Sequence, residues 1–119
     1  MNKFIMSLIG LSFCQSAFAL DCFGTEPFWS AEVSTEIISL EIDRSQSAFQ
    51  VTHISGARGY TEDFVKIFSN SQGPVAVIKA ANCNDGMSDN EFEKEILLFT
   101  PAGTLYGCCG PAKKSSENN

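Results

Sequence analysis

Phe28-Trp29-Ser30-Ala31-Glu32-Val33 and, a few residues later, Ile37-Ile38-Ser39-Leu40-Glu41-Ile42 decide how this chain folds. In the first run Trp29, Ala31 and Val33 share one side, opposite Ser30 and Glu32. In the second, Ile38, Leu40 and Ile42 oppose Ser39 and Glu41. A period of two is the mark of a strand with one buried face, because successive side chains leave a strand on opposite sides.

Working outward, the same period or a β-branched composition recurs. Residues 48–54 set Phe49, Val51 and His53 against Gln50 and Thr52, and 64–68 and 75–80 are short and rich in β-branched side chains. Residues 91–99 (EFEKEILLF) are ambiguous in their first half, where Glu91, Lys94 and Glu95 are all adequate helix formers. Their length and the Pro101-Ala102-Gly103 turn that follows favour a strand. Residues 104–109 supply the last strand. Turn formers fill the gaps at Ser34-Thr35, 43–47, 69–74 and 82–90. About seven short strands at this spacing predict an all-β domain, a small antiparallel barrel or sandwich. There is no internal repeat and no linker.

The chain has 119 residues. Lys3, the apolar run at 4–13 and Ala17-Phe18-Ala19 have the order of a secretory signal: a positive start, a short hydrophobic core and a small-x-small cleavage site. The apolar run is too short for the roughly 20 residues that span a bilayer. Cys14 follows Phe13 rather than the small residue a lipid-anchored cysteine requires. The expected layout is a signal peptide at 1–19, a β domain at 20–110 and a flexible polar tail at 111–119. The product is expected to be periplasmic or secreted, with no membrane anchor. Eight basic and 14 acidic residues give a charge of −6; removing 1–19 takes away Lys3 and no acid, which leaves −7. This argues against a nucleic-acid partner, which needs a basic face to displace counterions from phosphates.

Cleavage also removes Cys14 and leaves Cys22, Cys83, Cys108 and Cys109, an even number in an exported domain and hence two disulfides. Cys108 and Cys109, as strand neighbours, point to opposite faces, so each can meet a different partner, Cys22 or Cys83. The sequence leaves both crossings open. Loop-closure arithmetic gives roughly 3.5 kcal/mol for a bridge closing about 26 residues and about 4.6 kcal/mol for one closing about 87. The cysteine spacing suits neither a zinc site nor a redox C-x-x-C pair. No cofactor and no metal is expected.

Three segments carry the remaining information: Cys22-Phe23-Gly24-Thr25-Glu26-Pro27-Phe28-Trp29, Cys83-Asn84-Asp85-Gly86-Met87-Ser88-Asp89 and Tyr106-Gly107-Cys108-Cys109. Together, and with Asp63-Phe64-Val65, they resemble a family of uncharacterised bacterial exported proteins and lipoproteins marked by GTEPFW, C-x-DGMSD and a terminal GCC. Asn90-Glu91-Phe92 departs from that pattern, where an arginine and an aromatic commonly follow DGMSD. The resemblance covers the chain from Cys22 to Cys109 and implies an exported β domain.

Glu26, Trp29, Asp85 and Asp89 are the candidate binding residues in these segments. Trp29 is also the natural core plug, and Glu26 could instead pair with a backbone amide or with Arg58. Asp85-Gly86 reads as a turn closed by side-chain bonds. A calcium loop would need its acidic positions spaced differently before the glycine.

Ser55-Gly56-Ala57-Arg58-Gly59-Tyr60 is similar to the SGxxY loop of bacterial inhibitors of c-type lysozyme, with Gly59 displacing Tyr60 by one place. That resemblance implies Ser55 and Arg58, with Tyr60 beside them, as contacts to a lysozyme's catalytic carboxylates. His53, the single histidine, alternates with Val51 and is expected to be a half-buried core residue. No nucleophile–base–carboxylate arrangement surrounds it.

The expected function is non-catalytic binding in the bacterial envelope, the partner being a lysozyme or another envelope protein. One alternative is inhibition of lysozyme through Ser55 and Arg58. Another is an apolar-ligand carrier lined by Trp29, Phe49 and Phe64. A hydrolase built on Glu26 and Asp89 would need both carboxylates in one cleft, within roughly 10 Å.

Overall fold

The computed structural model describes residues 19–86 and 89–113; the expected signal peptide up to residue 18, Met87 and Ser88 in the DGMSD segment, and the tail from 114 lie outside them. The described chain forms nine strands: β1 (Ala19–Thr25), β2 (Phe28–Ser34), β3 (Ile37–Ile42), β4 (Ser45–Gln50), β5 (His53–Ser55), β6 (Val65–Asn70), β7 (Gly73–Asn84), β8 (Glu91–Thr100) and β9 (Gly103–Ala112). All pairings are antiparallel, in the order β4-β3-β2-β1-β9-β8-β7-β6-β5. The result is one curled sheet, a half-barrel, rather than a sandwich of two sheets.

The strand count differs from the expected seven at two places. β1 was expected as a functional segment rather than a strand. Its inward residues Cys22 and Gly24 are buried, but on the outward side the covered, apolar Phe23 stands between Asp21 and Thr25 and interrupts the polar half of the alternation. The run 48–54 is two strands. At its midpoint the backbone changes neighbour: Val51 N–H donates to Glu36 O at 3.0 Å and Thr52 N–H to Ser69 O at 2.8 Å. The chain thus steps from one edge of the sheet, β4, to the other, β5.

That step shifts the side-chain phase by one. Phe49 and Val51 face the core, and the next core-facing residue is Ile54. His53 is therefore exposed, not half-buried as the simple alternation implied. The ambiguous run at 91–99 is strand throughout, and its hairpin partner β9 continues through Pro111 and Ala112, where a frayed tail was expected. Ala112 opposes Phe92, and Lys113 N–H donates to Glu91 O at 2.7 Å.

The concave face holds the main core. Trp29, Ala31, Val33, Ile38, Leu40, Phe68, Ile78, Ile96 and Leu98 meet there, with Cys22 and Cys109 among them. Among them, Trp29, Ala31, Val33, Ile38 and Leu40 are residues the period of two assigned inward on β2 and β3. A second, smaller cluster of Cys83, Phe92 and Cys108 with Phe23 lies on the convex face. It exists because β7 and β9 each carry an extra residue opposite the same point of β8, between Ala80 and Cys83 and between Cys109 and Ala112. Such irregularities bend a strand. The tip of the β7–β8 hairpin bends over the outside of β9 and β1, where Phe23 and Phe92 meet edge-on with ring centroids 4.9 Å apart.

The disulfides follow from this layering. Cys22 and Cys109 are directly paired neighbours on β1 and β9, and their bridge lies in the main core. Cys83, carried over by the bent hairpin, meets Cys108 outside. Adjacent cysteines on opposite faces do bond different partners, and the structure selects Cys22–Cys109 with Cys83–Cys108.

Candidate functional site

The hairpin that joins β1 to β2 turns through Glu26-Pro27, whose peptide bond is cis, with Thr25 opposite Phe28. The turn sends the next two side chains to opposite faces. Trp29 is buried at 4% exposure and Phe28 stands out at 66%.

Trp29 needs unusual room. Its cross-strand neighbour is Gly24, where a Cβ would run into the indole Nε1 and lie 2.6 Å from the Tyr106 carbonyl oxygen. On β9 a Cβ at Gly107 would collide with the Phe23 carbonyl oxygen and lie 2.8 Å from Trp29 Cζ2. The glycines of GTEPFW and of YGCC are thus the bed on which the tryptophan lies. The indole N–H has no acceptor among the described residues.

On the outside, above the same two glycines, the three segments converge. Phe23, Gly24, Thr25 and Glu26 from β1 and its turn, Asn84 and Asp85 from the end of β7, and Tyr106, Gly107 and Cys108 from β9 line one cleft of about 110 Å³. The β7 tip is tied down there by the Cys83–Cys108 bridge and by Thr25 Oγ1, which donates to Asp85 O at 3.0 Å. The tip itself is closed by its own side chains. Asn84 Oδ1 accepts from Gly86 N–H at 2.7 Å, and Asn84 Nδ2 donates to Asn90 O at 3.0 Å. Gly86 takes a left-handed φ of 81°, which suits glycine. This is the side-chain-closed turn read from Asp85-Gly86.

Tyr106 forms the far wall. Its hydroxyl donates to Glu95 Oε1 at 2.8 Å and lies 3.7 Å from Cys83 Sγ. Partial burial, the bond to Glu95 and that carboxylate's charge, in this order, raise the Tyr106 pKa above its ordinary value. A wider, open groove continues from the cleft past Phe28, Ser30, Glu41, Asp43 and Arg44.

The candidates divide accordingly. Glu26 and Asp85 line the cleft, and Trp29 supports it from beneath. Glu26 is exposed and forms no ion pair with Arg58; among the described residues the one ion pair is Lys66–Asp63. Asp89 is exposed in the β7–β8 connection and does not line the cleft. Ser55, Arg58 and Tyr60 are exposed, at the end of β5 and in the loop that follows, and line none of the clefts described here. Tyr60 stacks on Phe64, with ring centroids 5.0 Å apart. Phe64 is therefore engaged away from Trp29 and Phe49, which belong to the main core. Among the described residues no group of three or more histidine, cysteine or acidic side chains is arranged to hold a metal ion.

The reading of the sequence missed Asn84, Tyr106 and the two glycines as parts of one arrangement. The available signal was the glycine paired with an aromatic in both GTEPFW and YGCC. No protein-family model, no curated protein and no solved structure matches the chain.

Proposed function

We propose that the protein is an exported, non-catalytic binding protein of the bacterial envelope and that it grips a protein partner through the cleft between β1, β9 and the β7 tip. The observation that carries this reading is the convergence of Phe23–Glu26, Asn84–Asp85 and Tyr106–Cys108 on one cleft. Its size indicates the class of partner. About 110 Å³ is well below the roughly 300–1,000 Å³ of sites that enclose a small molecule, and suits a single inserted side chain. The exposed Phe28 beside it offers an aromatic contact of the kind that anchors protein interfaces. Two disulfides accord with an oxidising compartment.

The test is site-specific photo-crosslinking in the envelope of living bacteria. The photoreactive side chain is placed at Glu26, at the cleft, or at Lys66 on β6, outside it. A discrete protein adduct from position 26 that is absent from position 66 supports the reading. Adducts from both positions, or from neither, refute it.

A second reading, inhibition of lysozyme, is favoured by one observation: Arg58 is exposed in the loop after β5, as an inserting side chain requires. The acidity of the chain would steer its encounter with a basic lysozyme. The oxidised mature chain would be titrated into c-, g- and i-type lysozymes while lysis of cell walls is followed. Stoichiometric inhibition lost in Arg58→Ala supports this reading, and no inhibition at large molar excess ends it.

A further inference from the structure

Among the described residues β4 is an edge strand, exposed along most of its length. Its one strand neighbour is β3, because β6 and β5 pair with each other beyond the Val51–Thr52 step. The β3–β4 hairpin has a two-residue loop, Asp43-Arg44, flanked by the pair Ile42 and Ser45. In such a hairpin the flanking pair exchanges both backbone bonds, and bonded and non-bonded pairs then alternate. Ser45, Ser47 and Phe49 therefore bond to β3, while Gln46 and Ala48 turn their N–H and C=O groups outward. Natural edges are usually blunted by a charge, a proline or a bulge. Ser45-Gln46-Ser47-Ala48-Phe49-Gln50 has no charge and no proline, and its pairing with β3 runs without a shift.

The neighbouring sheet face says what the edge would accept. On the convex face, Phe23, Ser30, Glu41 and Gln46 form one cross-strand row, and Asp21, Glu32, Ser39 and Ala48 form the next. These rows wall a single open groove. Asp21 and Glu32 are directly opposite, a like-charge pair that disfavours the isolated sheet, and Glu41 lies diagonally beyond them. Arg44, at the turn, is the nearest cation to this groove on β1–β4.

We propose that the β4 edge is a strand-addition site for an extended, cationic polypeptide segment of a partner protein, with basic and apolar residues in alternation. Its basic side chains lie on the convex face, opposite Gln46 and Ala48. From there Glu41 is two strand spacings away, roughly 10 Å, within the combined reach of a lysine and a glutamate. The small Ser39 and Ala48 leave the path open. Its apolar side chains lie on the concave face and cover the half-buried Phe49. Strand addition supplies affinity through backbone bonds and specificity through alternate side chains. A second copy of this chain is a poorer occupant, since it would bring the same carboxylates to the same face. This surface adjoins the groove that leaves the cleft, sharing Ser30 and Glu41 with it, but the β4 edge at Gln46 and Ala48 lines neither that groove nor the cleft, so a test read at Ala48 is distinguishable from the test of the cleft.

The probe is a fluorescein-labelled hexapeptide of alternating lysine and valine, compared with a blocked isomer of three lysines then three valines and with an alternating glutamate–valine peptide. Binding is read by fluorescence anisotropy. Ala48→Pro removes an outward N–H while leaving the β3 ladder whole, and edge strands tolerate proline at such positions. The alternating cationic peptide is expected to bind, to lose at least tenfold in affinity in Ala48→Pro, and to weaken with Glu41→Gln or with added salt. Amide hydrogen exchange on the unmodified protein gives a second readout, with slowed exchange expected at Gln46 and Ala48 when the peptide is bound. Unchanged affinity in Ala48→Pro, equal binding of the blocked isomer, or no protection at Gln46 and Ala48 would overturn the proposal. So would a β4-mediated dimer of the protein that becomes monomeric in Ala48→Pro.

Discussion

Replacing Gly107 by alanine tests the bed beneath Trp29. The added methyl meets the Phe23 carbonyl oxygen, which belongs to the neighbouring backbone and cannot rotate aside, and it also lies 2.8 Å from Trp29 Cζ2. Inserting one methyl group into a packed interior costs about 1–3 kcal/mol. The clash here is with backbone, so the cost falls near the upper end. The stiffer unfolded chain returns about 0.4–1 kcal/mol. The net expectation is a loss of about 2 kcal/mol, equivalent to about 8–16 °C in Tm for a domain of this size. The seam that must open is short, because β1 and β9 are in register only at Cys22–Cys109 and Phe23–Cys108. Gly24→Ala should cost a similar amount for a different reason, since its first obstacle is the indole Nε1 rather than backbone. Trp29→Phe removes that nitrogen, together with a buried donor that has no acceptor among the described residues. In a double-mutant cycle Trp29→Phe should therefore relieve part of the Gly24→Ala penalty and little of the Gly107→Ala penalty. Urea unfolding of the oxidised protein measures all three. A Gly107→Ala protein within about 0.5 kcal/mol of wild type, or equal rescue of both glycine variants, would refute the account.

Removing the inner bridge by Cys22→Ala with Cys109→Ala should cost about 4.6 kcal/mol in chain entropy, against about 3.5 kcal/mol for Cys83→Ala with Cys108→Ala, so urea midpoints should rank in that order. Val51→Ala should lose about 2 kcal/mol, because Val51 is buried where the chain changes edges, whereas His53→Ala should fall within about 0.5 kcal/mol of wild type. Asp43 and Arg44 form the β3–β4 turn with φ of 54° and 67°. Arg44→Gly should therefore stabilise the protein by about 1 kcal/mol in urea melts, as relief of a left-handed non-glycine residue. Tyr106 has a raised pKa, so the folded state retains the phenol proton where the unfolded chain has lost it. Stability from this group is full below about pH 10 and is lost as pH rises through the folded value. In a Tyr60→Phe background, Glu95→Gln should lower the tyrosinate midpoint seen by ultraviolet absorbance, and an unmoved midpoint would count against the Glu95 contribution.

Much of the architecture was legible because one face of β2 and of β3 is buried and the other wet. Trp29, Ala31, Val33, Ile38 and Leu40 all went where a period of two sends them. β1 was not legible as a strand because Phe23, outward-facing between Asp21 and Thr25, is covered by the second cluster and breaks the polar alternation at the middle of a short run. His53 was misread because the chain changes neighbours two residues before it, and a change of pairing partner resets the side-chain phase without leaving a local signal.

The candidate site divides in the same way. That Cys108 and Cys109 bond different partners follows from strand geometry and is present in the sequence as soon as they are adjacent. Which partner each takes was decided by the bend of the β7–β8 hairpin, which carries Cys83 to the convex face while Cys22 faces the core. Likewise the sequence named GTEPFW, the DGMSD segment and YGCC as separate islands, and the same bend lays Asn84 and Asp85 beside Thr25 and Tyr106. Alternation is a local property, fixed by the geometry of each strand. Convergence depends on pairings between residues as far apart as Thr25 and Asp85, and such contacts are settled by how bulges, register and two opposed hydrophobic clusters fit together in three dimensions.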